Sequence, residues 1–231
     1  MAKKYHVFLL LFLLSTVVLN AQEFQINGVA GYSRTYKWYG GVDMKGVFHV
    51  DNTDFTLNLE ALTANTYSIG LTAGHSFKVC EKGFVFLDGT LHSRIFGRYK
   101  TYEFVYAASA GFRMRHFSVQ AGLFSRIIDA FGRDWHSLQN YVTEPFNFLY
   151  KVIISVMGFD HPWDVYLVGA NYNDYEYERM WEPICSLGGR WDFKERWRAV
   201  AEGTLQAAGM FHGTVKFYEM TLRVGVVYKL K

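Results

Sequence analysis

One histidine and serine pair has a spacing that suits nucleophilic chemistry, namely His116 and Ser118 in the run His-Phe-Ser. Histidine can take the proton of a serine hydroxyl as that hydroxyl attacks an acyl group. His92-Ser93 and His75-Ser76 are directly adjacent pairs, which a strand would place on opposite faces. The sequence therefore offers His116 and Ser118 as its one His-x-Ser candidate for acyl hydrolysis.

A second set of residues has the types that a protease site requires. Asp134-Trp135-His136, together with Asp174 and Glu176, could supply acids and a histidine from polar connections. Such residues in long connections are usually only solvated, so this hypothesis ranks below the others.

The sequence contains little that indicates a metal or cofactor site. The eight histidines include no His-Glu-x-x-His spacing, and there is no Cys-x-x-Cys pair. Gly40-Gly41 and Gly188-Gly189 lack a phosphate-loop context, and glycine in strands more often marks a bulge or close packing. We expect no cofactor and no metal.

The elements that position these residues are strands, because apolar and polar residues alternate from about Phe24 to Lys231. In Val42 to Val50, Asp43, Lys45 and His49 share one side, and Val42, Met44, Phe48 and Val50 share the other. Successive strand side chains point to opposite faces, so one face can sit in lipid while the other faces a polar lumen. With no linker or composition break, the pattern predicts one all-β domain, a transmembrane barrel.

The first residues predict export. Lys3 and Lys4 precede an apolar run from Val7 to Val18, which is typical of a secretory signal. The run is shorter than the roughly 20 residues of a membrane helix. Cleavage after Ala21 would divide the chain into a signal peptide, 1–21, and a barrel domain, 22–231. Losing two lysines takes the formal charge from +3 to +1, which gives no argument for binding nucleic acid.

Turn signals predict twelve strands in an antiparallel up-and-down barrel. Five short polar turns alternate with six loops, so both termini lie at the turn end. Membrane barrels have short periplasmic turns and longer outer loops, which assigns the loop end to the outside. The turns are Asp51 to Asp54, Lys78 to Gly83, Arg113 to His116, Gly158 to Asp164 and Asp192 to Arg196. The loops are Lys37 to Gly41, Ala64 to Thr66, Gly97 to Thr101, Arg133 to Phe146, Asn173 to Pro183 and Gly209 to Lys216.

Aromatic residues cluster near both strand ends, as amphipathic rings do at membrane interfaces. The turn-end set includes Phe24, Phe77, Phe159, Trp191 and Trp197, and the loop-end set includes Trp38, Tyr39, Tyr67, Tyr172 and Tyr218.

The signal peptide, the girdle-bounded strands and the final strand Met220 to Lys231 resemble small Gram-negative outer-membrane β-barrel proteins. The Ala21-Gln22 junction is similar to those of Bacteroidetes envelope proteins. The ending Tyr228-Lys229-Leu230-Lys231 departs from the terminal aromatic of such barrels. The resemblance implies outer-membrane lipid and the barrel assembly machinery as partners, small polar solutes as candidates for passage, and no nucleic acid.

The alternation predicts a polar network inside the barrel. Charges removed from bulk water need partners, so a mutually neutralising network is favoured over an open channel or solute site, although both can coexist. Twelve strands lie between the eight that side chains can fill and the 16 that leave an aqueous channel. The predicted network is Lys45, Glu60, Asp88, His92, Arg94, Glu103, Arg126, Arg190, Arg198, Glu202 and Arg223, with Asp43, His49, Arg113 and Lys151 also inward.

The turn assignment predicts specific neighbours. Folding around the first turn brings Lys45 near Glu60, and folding the last two strands together brings Glu202 near Arg223. Cys80 and Cys185 fall at opposite ends of the barrel, too far apart for a disulfide, so we expect both to be unpaired.

The function favoured by these patterns is a narrow pore or a structural surface protein of the outer membrane with a partly plugged lumen. Outer-membrane phospholipases and lipid A deacylases use a His-x-Ser pair near the outer rim, whereas the topology puts His116 and Ser118 at the periplasmic end. A lipid enzyme is therefore the first alternative, and a secreted soluble all-β binding module is the second.

Overall fold

The computed structural model describes residues 21–34, 37–63, 65–97, 101–130, 142–178, 182–208 and 216–230. Residues 1–20 of the predicted signal peptide lie outside this range, as do Asp134 and His136. Among the described residues, no helix is long and apolar enough to cross a membrane.

The described residues form twelve strands that close into one antiparallel barrel, in which each strand pairs with its sequence neighbours and β1 pairs with β12. The prediction of a twelve-stranded up-and-down barrel is confirmed. The strands are β1 Glu23–Ser33, β2 Lys37–Val50, β3 Thr53–Leu62, β4 Thr66–Cys80, β5 Gly83–Phe96, β6 Thr101–Arg113, β7 Phe117–Ala130, β8 Val142–Ser155, β9 Trp163–Ala170, β10 Ile184–Lys194, β11 Trp197–Ala208 and β12 Lys216–Lys229.

The five predicted turns all join strands at one end of the barrel, the turn end, where β1 begins and β12 ends. Five of the six predicted loops contain connections at the other end, the loop end. The prediction of a loop at Lys37 to Gly41 is wrong, because these residues belong to β2 and pair with β1; its aromatic and glycine residues fit a strand as well as a loop. The longest connections are 131–141 and 171–183, both at the loop end. Because turn residues are a local signal, the sequence was sufficient to locate these connections.

The register of the first hairpin differs from the prediction. Asp43 pairs with Glu60, and Lys45 pairs with Asn58. The expected Lys45 and Glu60 neighbours are therefore wrong by two residues, because the turn contains only Asp51 and Asn52, with Asp51 at φ 53°. A two-residue hairpin of this kind moves the pairing toward the turn. Both side chains still face inward, since an even shift preserves the face.

The barrel carries its apolar side chains outward and its charges inward. Leu71, Leu91, Leu123, Leu167 and Leu222 are each about half exposed on the outer surface. This arrangement, on a sheet that closes on itself, contradicts the alternative of a soluble sandwich with an outward charged face. Cys80 and Cys185 are both free and exposed, as expected.

Three aromatic residues assigned to the girdles lie inside the barrel instead. Tyr39 is buried, and its hydroxyl hydrogen-bonds Glu219 and Thr221. Tyr172 and Phe159 belong to connections that fold inward. Trp38, Trp163 and Trp191, by contrast, are exposed at the strand ends. The alternation of β2 already places Tyr39 on the inward face of Asp43 and Lys45. Phe159 and Tyr172 lie in connections, where period-two alternation assigns no face.

Candidate functional site

The β9–β10 connection turns into the barrel at Asn171. Strand β9 pairs with β8 only from Ala170 to Tyr166, so no described strand pairs with the loop-end part of β8 on that side. The Asn171 side chain takes over the pairing: its Oδ1 accepts from the Tyr150 backbone N–H at 2.9 Å, and its Nδ2 donates to the Phe148 carbonyl at 2.6 Å. Asn171 is fully buried. The Asn171 amide thus hydrogen-bonds the backbone of β8 at the point where the main chain leaves the barrel wall.

Residues Asn171 to Glu178, the inward segment, form a small hairpin inside the barrel. Tyr172 bridges Tyr177, and the Asn173 N–H donates to the Glu176 carbonyl at 2.8 Å. The Asn173 side chain accepts from the Tyr175 N–H at 2.8 Å, which holds the tip. The tip, Asp174 and Tyr175, therefore points toward the turn end.

Ionic contacts tie the inward segment to the strands. Lys45 Nζ lies 2.7 Å from Asp174 Oδ2, and an Arg94 guanidinium nitrogen lies 3.2 Å from Glu176 Oε1. Arg126 donates to the Tyr177 carbonyl at 3.0 Å. The Lys45 ammonium holds the pKa of the Asp174 carboxyl, in the connection, well below its ordinary value. The segment is thus bound as an anion among strand-borne cations.

Arg223 links the strands beneath the inward segment. Its Nε donates to Asp43 at 3.0 Å, and an Nη donates to Glu60 at 2.8 Å. The Tyr175 ring lies 4.7 Å from the guanidinium carbon, and the Tyr175 hydroxyl donates to Asp43 at 3.1 Å. Asn27 also donates to Asp43, at 2.5 Å. This cluster joins β1, β2, β3 and β12 across the closing seam of the barrel.

A chamber of about 820 Å³ occupies the turn-end half of the interior. Asp174 and Tyr175 form part of its lining on the side of the inward segment. The Phe159 ring, from the β8–β9 turn, lies between two guanidinium groups, 5.5 Å from that of Arg113 and 5.8 Å from that of Arg190. Polar and charged residues outnumber apolar ones in the remaining lining, which suits a space that water can enter.

The predicted network residues fall into two groups within the interior. The group lining the chamber is Lys45, Asp88, Arg190, Arg198, Glu202 and Arg223. The group buried nearer the loop end is Glu60, His92, Arg94, Glu103 and Arg126. Arg126 pairs with Glu103 at 3.3 Å.

Other predicted contacts have different partners. Glu202 pairs in register with Arg223 as expected, but its carboxylate accepts from the Tyr166 hydroxyl at 2.8 Å, while Arg223 reaches Asp43 and Glu60. Asp88 accepts from Gln120 at 2.8 Å. Cross-strand register alone therefore did not identify the partners of these side chains.

Sequence reasoning missed the inward segment itself. Asp174 and Glu176 were assigned to a solvated outer loop and to a hypothetical protease rim, and both lie inside the barrel, which contradicts that assignment. The signal was present as alternating tyrosines and acids from Tyr172 to Glu178. A loop that stays in water gains nothing from so many aromatic rings. The side chains that these residues contact come from distant strands, however, and could not be identified from the sequence.

The His-x-Ser pair does not form a catalytic dyad. The His116 ring contacts the Ser155 carbonyl at 3.2 Å, whereas Ser118 is a buried residue of β7. Among the described residues, no cluster of side chains could hold a metal ion.

Comparisons with known proteins find similarity at the level of the fold. No family model matches the chain, and no curated protein matches it. The chain is similar in structure to the KdgM porin in complex with disordered oligogalacturonate, with a TM-score of 0.56 and 10% identity over 89% of this chain and 98% of that one. It is also similar to the NanC porin, with a TM-score of 0.52 and 12% identity over 89% of this chain and 100% of the other.

The translocator domain of the autotransporter NalP from Neisseria meningitidis gives a TM-score of 0.52 with 15% identity, over 98% of this chain and 97% of that domain. The chain therefore has the fold of Gram-negative outer-membrane β-barrels. At these identities, the likeness extends to the fold alone.

Proposed function

We propose that this protein is an outer-membrane pore for small polar solutes, narrowed by its own inward segment. The observation that carries the proposal is the polar-lined chamber at the turn end, which is closed on its loop-end side by a hairpin that charged contacts hold in place. Apolar side chains face outward over the barrel wall, as lipid requires. Export by the predicted signal peptide, residues 1–21, would deliver the chain to that membrane.

The turn end would face the periplasm, because short turns lie on that side in membrane barrels. The chamber would then open toward the periplasm, and the inward segment would separate it from the outer loops. An open twelve-stranded barrel would admit larger solutes than a filled one. The segment therefore limits what can pass.

The oligogalacturonate of the KdgM complex is not carried over to this chain. That ligand is a polyanion, whereas the carboxylates of the inward segment are already paired with Lys45 and Arg94. The chamber lining contains six lysines and arginines and six acidic residues, so its charges balance and give no basis for selecting a polyanion. We propose small polar solutes without a charge preference.

Planar-bilayer recording of two proteins tests this function. Wild type should give small or flickering conductance steps, and a variant with Tyr172 to Glu178 replaced by a Gly-Ser linker should give larger, steadier steps. Glu81→Gln, which removes one charge from an exposed residue of the β4–β5 turn outside the chamber lining, serves as the control and should behave as wild type. Each protein is first checked for heat-modifiable migration, which reports a folded barrel.

Two results would overturn the proposal. Absence of conductance in both wild type and the linker variant would favour a structural surface protein. Large, stable steps in wild type would show that the inward segment does not narrow the lumen. Release of acyl chains from lipid by the same preparation, lost in Ser118→Ala, would instead support the enzyme alternative.

A further inference from the structure

The inward segment meets the barrel wall in two chemically different ways. On one side, Val105, Phe124 and Leu149 from β6, β7 and β8 pack against Tyr172 and Tyr177 as a buried apolar cluster. The two tyrosine rings are stacked, with centroids 5.3 Å apart and an interplanar angle of 16°. Close-packed apolar contacts of this kind leave no room or hydrogen-bonding partners for water. We call this the dry side of the segment: away from the edge where Leu149, Tyr172 and Tyr177 border the chamber, it offers water no partner.

On the adjoining strands, buried polar atoms face the segment without partners, beginning at His92, whose ring centroid lies 5.9 Å from that of Tyr177. Both ring nitrogens of His92, Oδ1 of Asn58, two guanidinium nitrogens of Arg94 and Oγ1 of Thr66 have no hydrogen bond within the described part of the chain. All four residues lie on β3, β4 or β5 and are buried. A buried polar group left unpaired destabilises the fold, and proteins rarely contain several together. Water is the partner that such a cluster selects.

These residues form a continuous line along the wall. Asn58, Gly70 and His92 pair across β3, β4 and β5 at one level, and Glu60, Ser68 and Arg94 pair at the next level toward the loop end. Toward the turn end, the next level is Thr56, Thr72 and Thr90, which line the chamber. Thr66 completes the line near the loop end. We call this line of residues the polar seam. Its members are Asn58, Thr66, Ser68, Gly70, His92 and Arg94.

Gly70 is the member of the polar seam without a side chain, and it lies between Asn58 and His92. A Cβ placed on Gly70 would lie 3.3 Å from Cδ2 of His92 and 3.7 Å from Cβ of Asn58. A larger side chain there would therefore fill the space between the neighbouring strands and the segment. The border with the dry side is one strand away, because His92 pairs directly with Val105 on β6.

We propose that the polar seam is the route by which water and small inorganic ions pass the inward segment. This inference rests on the proposed pore function and specifies where passage occurs and how large a solute can use it. A route bounded by single side chains of three adjacent strands admits water-sized particles and excludes sugars.

Cysteine accessibility tests the route separately from conductance. In a Cys80→Ser, Cys185→Ser background, Gly70→Cys and Val105→Cys place thiols on either side of His92 at the same level of the barrel. A small cationic methanethiosulfonate reagent is applied to the protein in lipid vesicles, and labelling is followed by mass spectrometry. Gly70→Cys should react faster than Val105→Cys by about tenfold or more, since the dry site must first open locally. Ser68→Cys, a near-isosteric change in the same seam, should also react quickly.

Conductance of blocking variants completes the test. Gly70→Leu should lower wild-type conductance, whereas Ile69→Leu, the neighbouring residue on the outer surface, should leave it unchanged. If the protein conducts but Ser68→Cys and Gly70→Cys react no faster than Val105→Cys, the polar seam is not the route, although the pore stands. If the seam thiols react quickly while wild type and linker variant conduct nothing, the seam is hydrated but the pore function is wrong. Heat-modifiable migration confirms that each variant folds before it is scored.

Discussion

The turn-end and loop-end halves of the barrel interior are built from the same strands but differ in what fills them. At the turn end, Arg198, Glu202 and Asp88 border the chamber, where water can solvate them. At the loop end, the inward segment displaces that water, and Asp43 and Glu60 depend on Arg223 for compensation. The same charged residue types therefore carry very different energetic weight in the two halves.

The difference comes from one connection. Lys45 and Arg94 find their carboxylates on the inward segment rather than on a neighbouring strand. The barrel wall and the inward segment are consequently complementary in charge. Strand pairing alone therefore does not explain the contacts in either half of the interior. Four tests, ordered from the largest expected effect to the smallest, probe this contrast between the two halves.

Arg223→Ala should have the largest effect on stability. The side chains of Asp43 and Glu60 are 0% and 2% exposed, so the variant leaves two buried carboxylates without their cation. Removing one partner of a buried pair typically costs about 3–5 kcal/mol. Urea unfolding in lipid vesicles measures the loss. Adding Glu60→Gln to Arg223→Ala should recover part of it, and a loss below about 1 kcal/mol in the single variant would mean that water reaches these groups.

Asn171→Ala should loosen the entry of the inward segment. The change removes both hydrogen bonds to the edge of β8 and leaves the Tyr150 N–H and the Phe148 carbonyl unpaired, at a cost of about 1–3 kcal/mol. Hydrogen exchange at Tyr150 should accelerate, and channel recordings should become noisier. Asn173→Ala is the control, since it removes only the bond to the Tyr175 N–H within the tip. Equal exchange rates at Tyr150 in the two variants would argue against Asn171 as the anchor.

Acidification tests the Lys45 and Asp174 contact. Because Lys45 depresses the pKa of Asp174 below its ordinary value of 3.8, the stabilisation is fully present above that value and is lost as the pH falls below it. Wild-type conductance should therefore stay flat from pH 7 down to about 4 and rise only in stronger acid. Lys45→Met should conduct more across the whole range. A rise in wild type between pH 7 and 5 would show that another group controls the segment.

The limits of sequence reasoning follow from the same contrast. The strand number and the positions of turns such as Asp51-Asn52 are local properties, set by period-two alternation and turn chemistry, and they were predictable. The pairing of Lys45 was not, because a two-residue and a four-residue turn both fit Asp51 to Asp54 and shift the register by two. The fate of Tyr172 to Glu178 depends on partners contributed by distant strands. A loop rich in tyrosine and acid has the same sequence whether it stays in water or enters the barrel.

Arg198→Ala should have the smallest effect, although it also removes an arginine from an ion pair. Arg198 contacts Asp192 at 2.5 Å near the turn-end rim, and Asp192 keeps Lys229 at 3.0 Å after the change. The three side chains are 22–24% exposed, so solvent screens the remaining charge. Solvated pairs contribute about 0–1 kcal/mol, and the same urea measurement should find a loss in that range. A loss as large as that of Arg223→Ala would mean that the turn-end half is as dry as the loop-end half, and the chamber would then be no part of an ion path.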